Sequence, residues 1–228
     1  MNMNIETMTM GTIPEKERSN LKPIVVAALA LWLCLVIFLG AHGAFAGSAD
    51  SPPLPIFFGA AIPLALFLAA YFGWSPFRAF VLGADLRLVT AFQAWRWAGL
   101  GFISLQAYGI LPGLFAFPAG LGDMAIGFTA PWILLQLARR PAFAASPRFK
   151  IWNTLGIVDF VVAISMGVLS SGFIPGIARF NGGLTSSPMA HLPLILIPAY
   201  MVPLFTMLHL TALFQARQLA RSEKSGRQ

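Results

Sequence analysis

The sequence predicts an all-α polytopic transmembrane bundle of about six membrane-spanning helices, with both termini in the cytoplasm. Of the 228 residues, 57% are hydrophobic and only 10% are charged, whereas soluble domains carry about a quarter charged residues. The apolar residues also form six runs, and each is close to the roughly 20 residues that a helix needs to cross a hydrocarbon core. Strands of a membrane barrel would instead alternate in segments of about 10 residues.

The apolar runs fill most of the chain and are separated by short polar connections. We place them at residues 24–46, 55–74, 88–110, 112–137, 151–170 and 191–214. This divides the chain into a flexible cytoplasmic tail (residues 1–22), a six-helix domain (23–214) and a basic cytoplasmic tail (215–228). Ala44 to Ala46 resembles a signal-peptidase site, and cleavage there would leave five helices. The first run is longer than a signal sequence requires, which favours its retention.

The basic residues fix the predicted orientation. Thirteen Lys and Arg residues lie in the N-terminal tail, in the connections after the second and fourth runs, and in the C-terminal tail. The opposite side carries only Arg179. The positive-inside rule then places both termini in the cytoplasm, and the compact chain favours a cell inner (plasma) membrane. The net charge of +7 is therefore explained by basic residues that orient the helices in the lipid bilayer. The sequence shows no contiguous basic face of the kind that binds nucleic acid.

Three charged residues fall inside the apolar runs: Arg96, Asp123 and Asp159. A charge in a membrane span costs roughly 2.5–3.5 kcal/mol on insertion scales and usually faces the bundle interior. The three lie at similar depth, so we expect Arg96 to contact an aspartate, with Gln93 one turn away on the same helix. The group is either a proton or substrate relay or a structural clasp between helices. We favour Asp123 for a relay, because glycines surround it in the sequence.

The sixth run has a proline at every fifth position, namely Pro193, Pro198 and Pro203, with His209 nearby. Each proline removes a backbone donor and tends to kink a helix. The run is interpreted either as a pathway or hinge or as a permanently bent helix.

Two histidines allow a haem hypothesis. His42 and His191 lie near the predicted outer ends of the first and last helices. They are at a similar depth in the membrane and would supply two axial ligands to a haem. The sequence holds one cysteine, Cys34, and no Cys-x-x-Cys-His motif. We expect no cofactor and keep haem as an alternative.

Three functions are compatible with this pattern. The first is transport of a small solute or ion, with proton coupling through the buried carboxylates. The second is a non-catalytic subunit or assembly factor with membrane-protein partners, and the third is a redox protein that binds haem or quinone. The sequence contains no Walker loop, Gly-x-Ser-x-Gly or His-Glu-x-x-His motif, which leans against an enzyme.

Overall fold

A computed structural model describes residues 15–48 and 51–225, with side chains described over 21–48 and 51–221. These parts of the chain are all-helical and contain no strand. The far N-terminal and C-terminal ends of the predicted tails lie outside the described residues.

The fold consists of nine α-helices and several tighter or wider helical turns within the described ranges. The α-helices are α1 (Glu15–Ala41), α2 (Leu54–Gly73), α3 (Ser75–Leu82), α4 (Leu86–Phe92), α5 (Leu100–Ala107), α6 (Gly113–Arg139), α7 (Pro147–Leu169), α8 (Pro175–Phe180) and α9 (Val202–Ser225). A 3₁₀ segment (Gln93–Gly99) joins α4 to α5, and a π-helical segment (Ile197–Met201) leads into α9. Two further 3₁₀ turns are Pro141–Ala145 and Ser187–Ala190.

Five helices in the described part of the chain are long and apolar enough to cross a bilayer. They are Leu21–Ala41, Leu54–Gly73, Gly113–Arg139, Pro147–Leu169 and Ile197–Arg221. The prediction of a multi-pass helical membrane protein agrees with these helices. Large apolar side chains on α1 and α2 are exposed, as expected for a surface that faces lipid.

The third predicted helix, residues 88–110, is not a single α-helix. Its middle is the 3₁₀ segment, in which side chains three residues apart eclipse each other. Gln93, Arg96 and Gly99 therefore form one row, and these three are the buried residues of the segment. The flanking Trp95 and Trp97 point outward and are exposed. The tighter turn thus directs both polar side chains toward the bundle interior.

Two other helix boundaries differ from the prediction. The fifth predicted helix begins earlier, at Pro147, where the Oγ of Ser146 accepts a hydrogen bond from the backbone N–H of Phe149 at 3.2 Å. Proline suits a first helical turn because backbone N–H groups there have no partner within the helix, so the N–H that proline lacks is not needed. The sixth predicted helix begins at Ile197 and continues to Ser225. Its polar end is held by Gln215, whose Nε2 donates to the carbonyls of Val81 (3.0 Å) and Ala84 (2.9 Å).

α6 lies at the centre of the bundle. One face packs against the 3₁₀ segment, another against α7, and α7 in turn packs against α9. A dense apolar core joins these elements near the C-terminal ends of α6 and α9, and includes Ile133, Leu137, Phe149 and Ala216. α2 packs on α9 and its π-helical segment. The described fold therefore brings α6, α7, α9 and the 3₁₀ segment together around Arg96.

Candidate functional site

Arg96 is the centre of a buried polar cluster. Arg96 is 3% exposed, and its guanidinium contacts three helices. Nε donates to Oδ1 of Asp123 on α6 at 2.7 Å, and Nη2 donates to Oδ2 of Asp159 on α7. Nη1 donates to the carbonyl oxygen of Gly156 at 3.2 Å and lies 2.9 Å from Nε2 of His209 on α9. One guanidinium thus ties together four segments of the fold.

His209 is fully buried, and its hydrogen bonds fix its protonation. The guanidinium of Arg96 can only donate, so Nε2 of His209 must accept and carry no proton. The proton is then on Nδ1, which donates to Oδ1 of Asn153 at 2.9 Å. The amide of Asn153 donates to the carbonyl of Phe149 at 2.9 Å. The imidazole is therefore neutral in this arrangement. We call Arg96, Asp123, Asp159, His209 and Asn153 the Arg96 cluster.

An aromatic ring covers the open face of the guanidinium. Cζ of Arg96 lies 3.8 Å from the ring centroid of Phe160, within the range of a cation–π contact. Phe160 stacks on Phe205 at 6.5 Å between centroids. The ring separates the charge of Arg96 from the space beyond it.

Glycines allow the helices to approach the cluster closely. A Cβ at Gly127 of α6 would lie 2.2 Å from the backbone nitrogen of Trp97, and one at Gly120 would lie 2.8 Å from the carbonyl oxygen of Gly99. On α7, a Cβ at Gly156 would lie 2.1 Å from Nε2 of His209. Any side chain at these positions would push an element away from the cluster.

A cavity of about 400 Å³ leads to the cluster from one side. Its walls are mostly apolar, and its rim carries hydroxyl groups, among them Ser48, Ser51, Thr185 and Ser187. Residues of both α2 and α7 contribute to its walls. Asp123 lies at its inner end, where Phe160 also forms part of the wall.

The two aspartates have different surroundings. Asp123 lines the cavity, with 16% of its side chain exposed. Within the described residues, its only hydrogen bond is the one from Arg96 to Oδ1. Asp159 does not line the cavity. Its Oδ1 lies against Gly122, where an added Cβ would come within 1.6 Å of that oxygen. Asp123 therefore borders the cavity, whereas Asp159 packs against α6 outside it, with 10% of its side chain exposed.

The structure brings Arg96, Asp123 and Asp159 together, and Arg96 contacts both aspartates. Gln93 lies one 3₁₀ turn away and binds α9: its Nε2 donates to the carbonyl of Phe205 at 3.3 Å. Its Oε1 is buried and has no hydrogen-bond partner in the described part of the chain.

The three prolines of the last run occupy different settings. Pro193 follows a cis peptide bond in an exposed turn before the helix. Pro198 lies in the π-helical segment and lines the cavity, and Pro203 is fully buried in the first turn of α9. Whether they act as a hinge stays a prediction.

The two histidines of the haem hypothesis are both exposed. Nδ1 of His42 lies 2.8 Å from the carbonyl oxygen of Phe38, and His191 lies at the cavity rim. A search of the described residues finds no group of three or more His, Cys, Asp or Glu side chains placed to hold a metal ion. Haem ligation by this pair stays a prediction.

Sequence reasoning did not assign His209 or Asn153 to the cluster. His209 is grouped in the sequence with the prolines of the last run, and the apolar pattern of that run does not show that the imidazole reaches Arg96. A signal for Asn153 was present on α7, where Asn153, Gly156 and Asp159 recur every three residues along one face.

A family model described as Domain of unknown function (DUF8737) matches residues 53–217. The chain belongs to this family. The region matched by DUF8737 begins just before α2 and ends within α9, so it contains the whole Arg96 cluster and most of the cavity wall. Searches of curated proteins and of solved structures find no match.

Proposed function

We propose that this protein transports a small solute or ion across the membrane, with proton coupling through Asp123. The observation that carries the proposal is the position of Asp123, whose carboxylate closes the inner end of a cavity and has one oxygen, Oδ2, without a hydrogen bond from the described residues. Clefts of about 300–1,000 Å³ with apolar walls and a few polar groups are typical small-molecule sites.

The charges of the cluster favour a bound proton or cation. Arg96 contacts two carboxylates, and His209 is neutral in the hydrogen-bond arrangement described above. One negative charge is therefore unbalanced when both carboxylates are ionised. Because unpaired charge at this depth in a bilayer is costly, a proton or a cation at Asp123 stabilises the bundle. Exchange between the two would couple proton movement to solute movement.

We further propose that the chain crosses an inner membrane six times and that both termini lie on the cytoplasmic side. In the middle of α4, Val89 shares a core with Leu137 near the end of α6. At the end of the segment, Phe102 of α5 packs edge-on against Phe115 near the start of α6, with 5.5 Å between centroids. Residues 86–107 thus run alongside α6, and their helical rises add to about 36 Å. The thirteen basic residues on one side support the orientation.

The test is proton-coupled flux in proteoliposomes. Purified full-length protein is reconstituted with a pH-sensitive dye inside the vesicles, and a panel of small solutes is added outside. We expect at least one solute to change the internal pH with the wild-type protein, and the Asp123→Asn variant to abolish the signal. Asp85→Asn is the matched control, because Asp85 caps α4 through a hydrogen bond from the Arg87 N–H at 2.8 Å and Asn caps equally well.

A coupled flux that survives Asp123→Asn would contradict the assignment of Asp123. Loss of flux in both variants would show a general effect of charge or folding and would equally remove the support for Asp123.

A further inference from the structure

We propose that the cavity binds an organic monocation with an apolar body, and that this cation and a proton compete for Oδ2 of Asp123. The inference deepens the proposed function, because it names the substrate class for the same cavity. It follows from the charge, the wall chemistry and the shape of the cavity.

The charge at the end of the cavity is negative. Among the described residues that line it, Asp123 is the only carboxylate, no lysine or arginine is present, and the other titratable side chain is His191 at the rim. Arg96 is separated from the cavity by the Phe160 ring, which lies 3.8 Å from Cζ. A ligand in the cavity therefore meets the carboxylate of Asp123 without meeting the guanidinium. An anion finds no electrostatic attraction at this site, whereas a cation balances the negative charge that Arg96 leaves unpaired.

The walls suit an apolar cation better than a hydrated metal ion. Five phenylalanines line the cavity: Phe45, Phe57, Phe102, Phe115 and Phe160. Aromatic faces attract quaternary and protonated amines at distances of up to about 6 Å. Small inorganic cations instead require several oxygen ligands, and here the inner end offers the oxygens of one carboxylate. A hydrophobic amine or ammonium ion uses both the rings and the carboxylate.

Competition with a proton follows from the shared oxygen. Oδ1 of Asp123 is engaged by Arg96 at 2.7 Å, so a proton and a cation both use Oδ2. Two ligands that exclude each other at one site each lower the apparent affinity of the other. Cation affinity should then fall by about tenfold for each unit by which the pH is lowered, over the range in which Asp123 holds a proton.

The experiment measures equilibrium binding to the purified full-length protein in lipid nanodiscs. Two pairs of probes separate charge from apolar body. Choline is compared with 3,3-dimethylbutan-1-ol, in which an uncharged carbon replaces the quaternary nitrogen. Benzyltrimethylammonium is compared with tetramethylammonium, which lacks the aromatic ring. Each dissociation constant is measured as a function of pH for the wild type, Asp123→Asn and the Asp85→Asn control.

We expect choline to bind more tightly than dimethylbutanol, and benzyltrimethylammonium to bind more tightly than tetramethylammonium. Asp123→Asn should weaken the binding of benzyltrimethylammonium about tenfold or more, because the Coulomb attraction to the carboxylate is lost. It should also remove the pH dependence that Asp123 causes, while Asp85→Asn should change neither. Equal affinity for choline and its isostere would overturn the inference, as would binding that is unaffected by Asp123→Asn.

The outcome also separates this inference from the proposed function. Cation binding that depends on Asp123, without flux of any solute, would support the binding site and contradict transport. Proton-coupled flux of a neutral or anionic solute, without cation binding, would support transport and contradict the substrate class.

Discussion

The two halves of the bundle on either side of Arg96 are built differently. On the side of the hydroxyl-bearing rim, residues of α2 and α7 line a cavity of about 400 Å³. On the other side, α6, α7 and α9 meet in a dense apolar core in which Phe149, Ile133 and Ala216 have 2% exposure or less. The polar cluster lies at the boundary. In this conformation the cavity therefore reaches the cluster from one side, through Asp123.

The two aspartates repeat the same contrast within the cluster. Asp123 faces the cavity, whereas the second oxygen of Asp159 lies against Gly122. Both bind Arg96, so the guanidinium contact alone does not distinguish them. Of the two, Asp123 lines the cavity, which is why we propose Asp123 as the ligand contact and Asp159 as a structural partner of Arg96.

The largest effect is expected from removing Arg96. Arg96→Gln leaves two buried carboxylates without their cation, and breaking a buried ion pair in this way costs about 3–5 kcal/mol. The double variant Arg96→Gln with Asp159→Asn should recover part of that loss. Thermal unfolding in detergent measures both. Strictly additive losses from the two single variants would show that Arg96 and Asp159 are not coupled.

A second prediction concerns close packing at the cluster. Gly127→Ala would place a Cβ 2.2 Å from the backbone nitrogen of Trp97 and should destabilise the protein by about 1–3 kcal/mol. Gly101→Ala is the matched control, because nothing lies within 4 Å of its added Cβ. Alanine favours a helix over glycine by up to about 1 kcal/mol, so Gly101→Ala should be neutral or stabilising. Equal melting temperatures for the two variants would contradict the close approach.

The third prediction separates the two aspartates by stability. In Asp159→Asn the new amide group lies against Gly122 of α6, and a buried donor that finds no acceptor there costs about 1–3 kcal/mol. In Asp123→Asn the amide can extend into the cavity and be hydrated, so the loss should stay below about 1 kcal/mol. Thermal unfolding of both variants in the same detergent provides the comparison. A greater loss for Asp123→Asn would reverse the assignment.

The smallest effect concerns the dense half. Oγ1 of Thr90 is buried there and has no hydrogen-bond partner among the described residues. Thr90→Val removes this orphaned hydroxyl at nearly constant shape and should be neutral or stabilise by up to about 1 kcal/mol. Thr206→Val is the comparison, because Oγ1 of Thr206 donates to the carbonyl of Val202 at 2.8 Å. Destabilisation by Thr90→Val would indicate that water or another group reaches this half.

The contact between Arg96 and the aspartates could be predicted because charges are scarce in the apolar runs, and buried charges require partners. The preference for Asp123 rested on its neighbouring glycines. The structure shows that Gly122 encloses Asp159 instead, while the cavity wall places Asp123 at the open side. Sequence spacing does not reveal which neighbouring helix a glycine faces, so this reason was not a sound one.

The 3₁₀ segment and the role of His209 could not be predicted from hydrophobic pattern. An apolar run has the same composition whether its turns are α or 3₁₀, and the change depends on tertiary packing against Gly120 and Gly127 of α6. α9 continues to Ser225, past residue 214 where the last predicted apolar run ends, although Gln215 and the residues beyond it are mostly polar. Their helical state depends on tertiary contacts such as the hydrogen bonds from Gln215 to the end of α3 and to the turn before α4.

The most direct test of one-sided access uses cysteine labelling in sealed vesicles. Cys34 is the single cysteine of the chain, so Cys34→Ser provides a cysteine-free background. Ala163→Cys places a thiol on the cavity wall one turn from Asp159, and Ala130→Cys places one in the dense core, where the residue has 0% exposure. A membrane-impermeant cationic thiol reagent added on the rim side should label Ala163→Cys and leave Ala130→Cys unmodified. Equal labelling of the two thiols, or labelling of Ala130→Cys alone, would contradict the account.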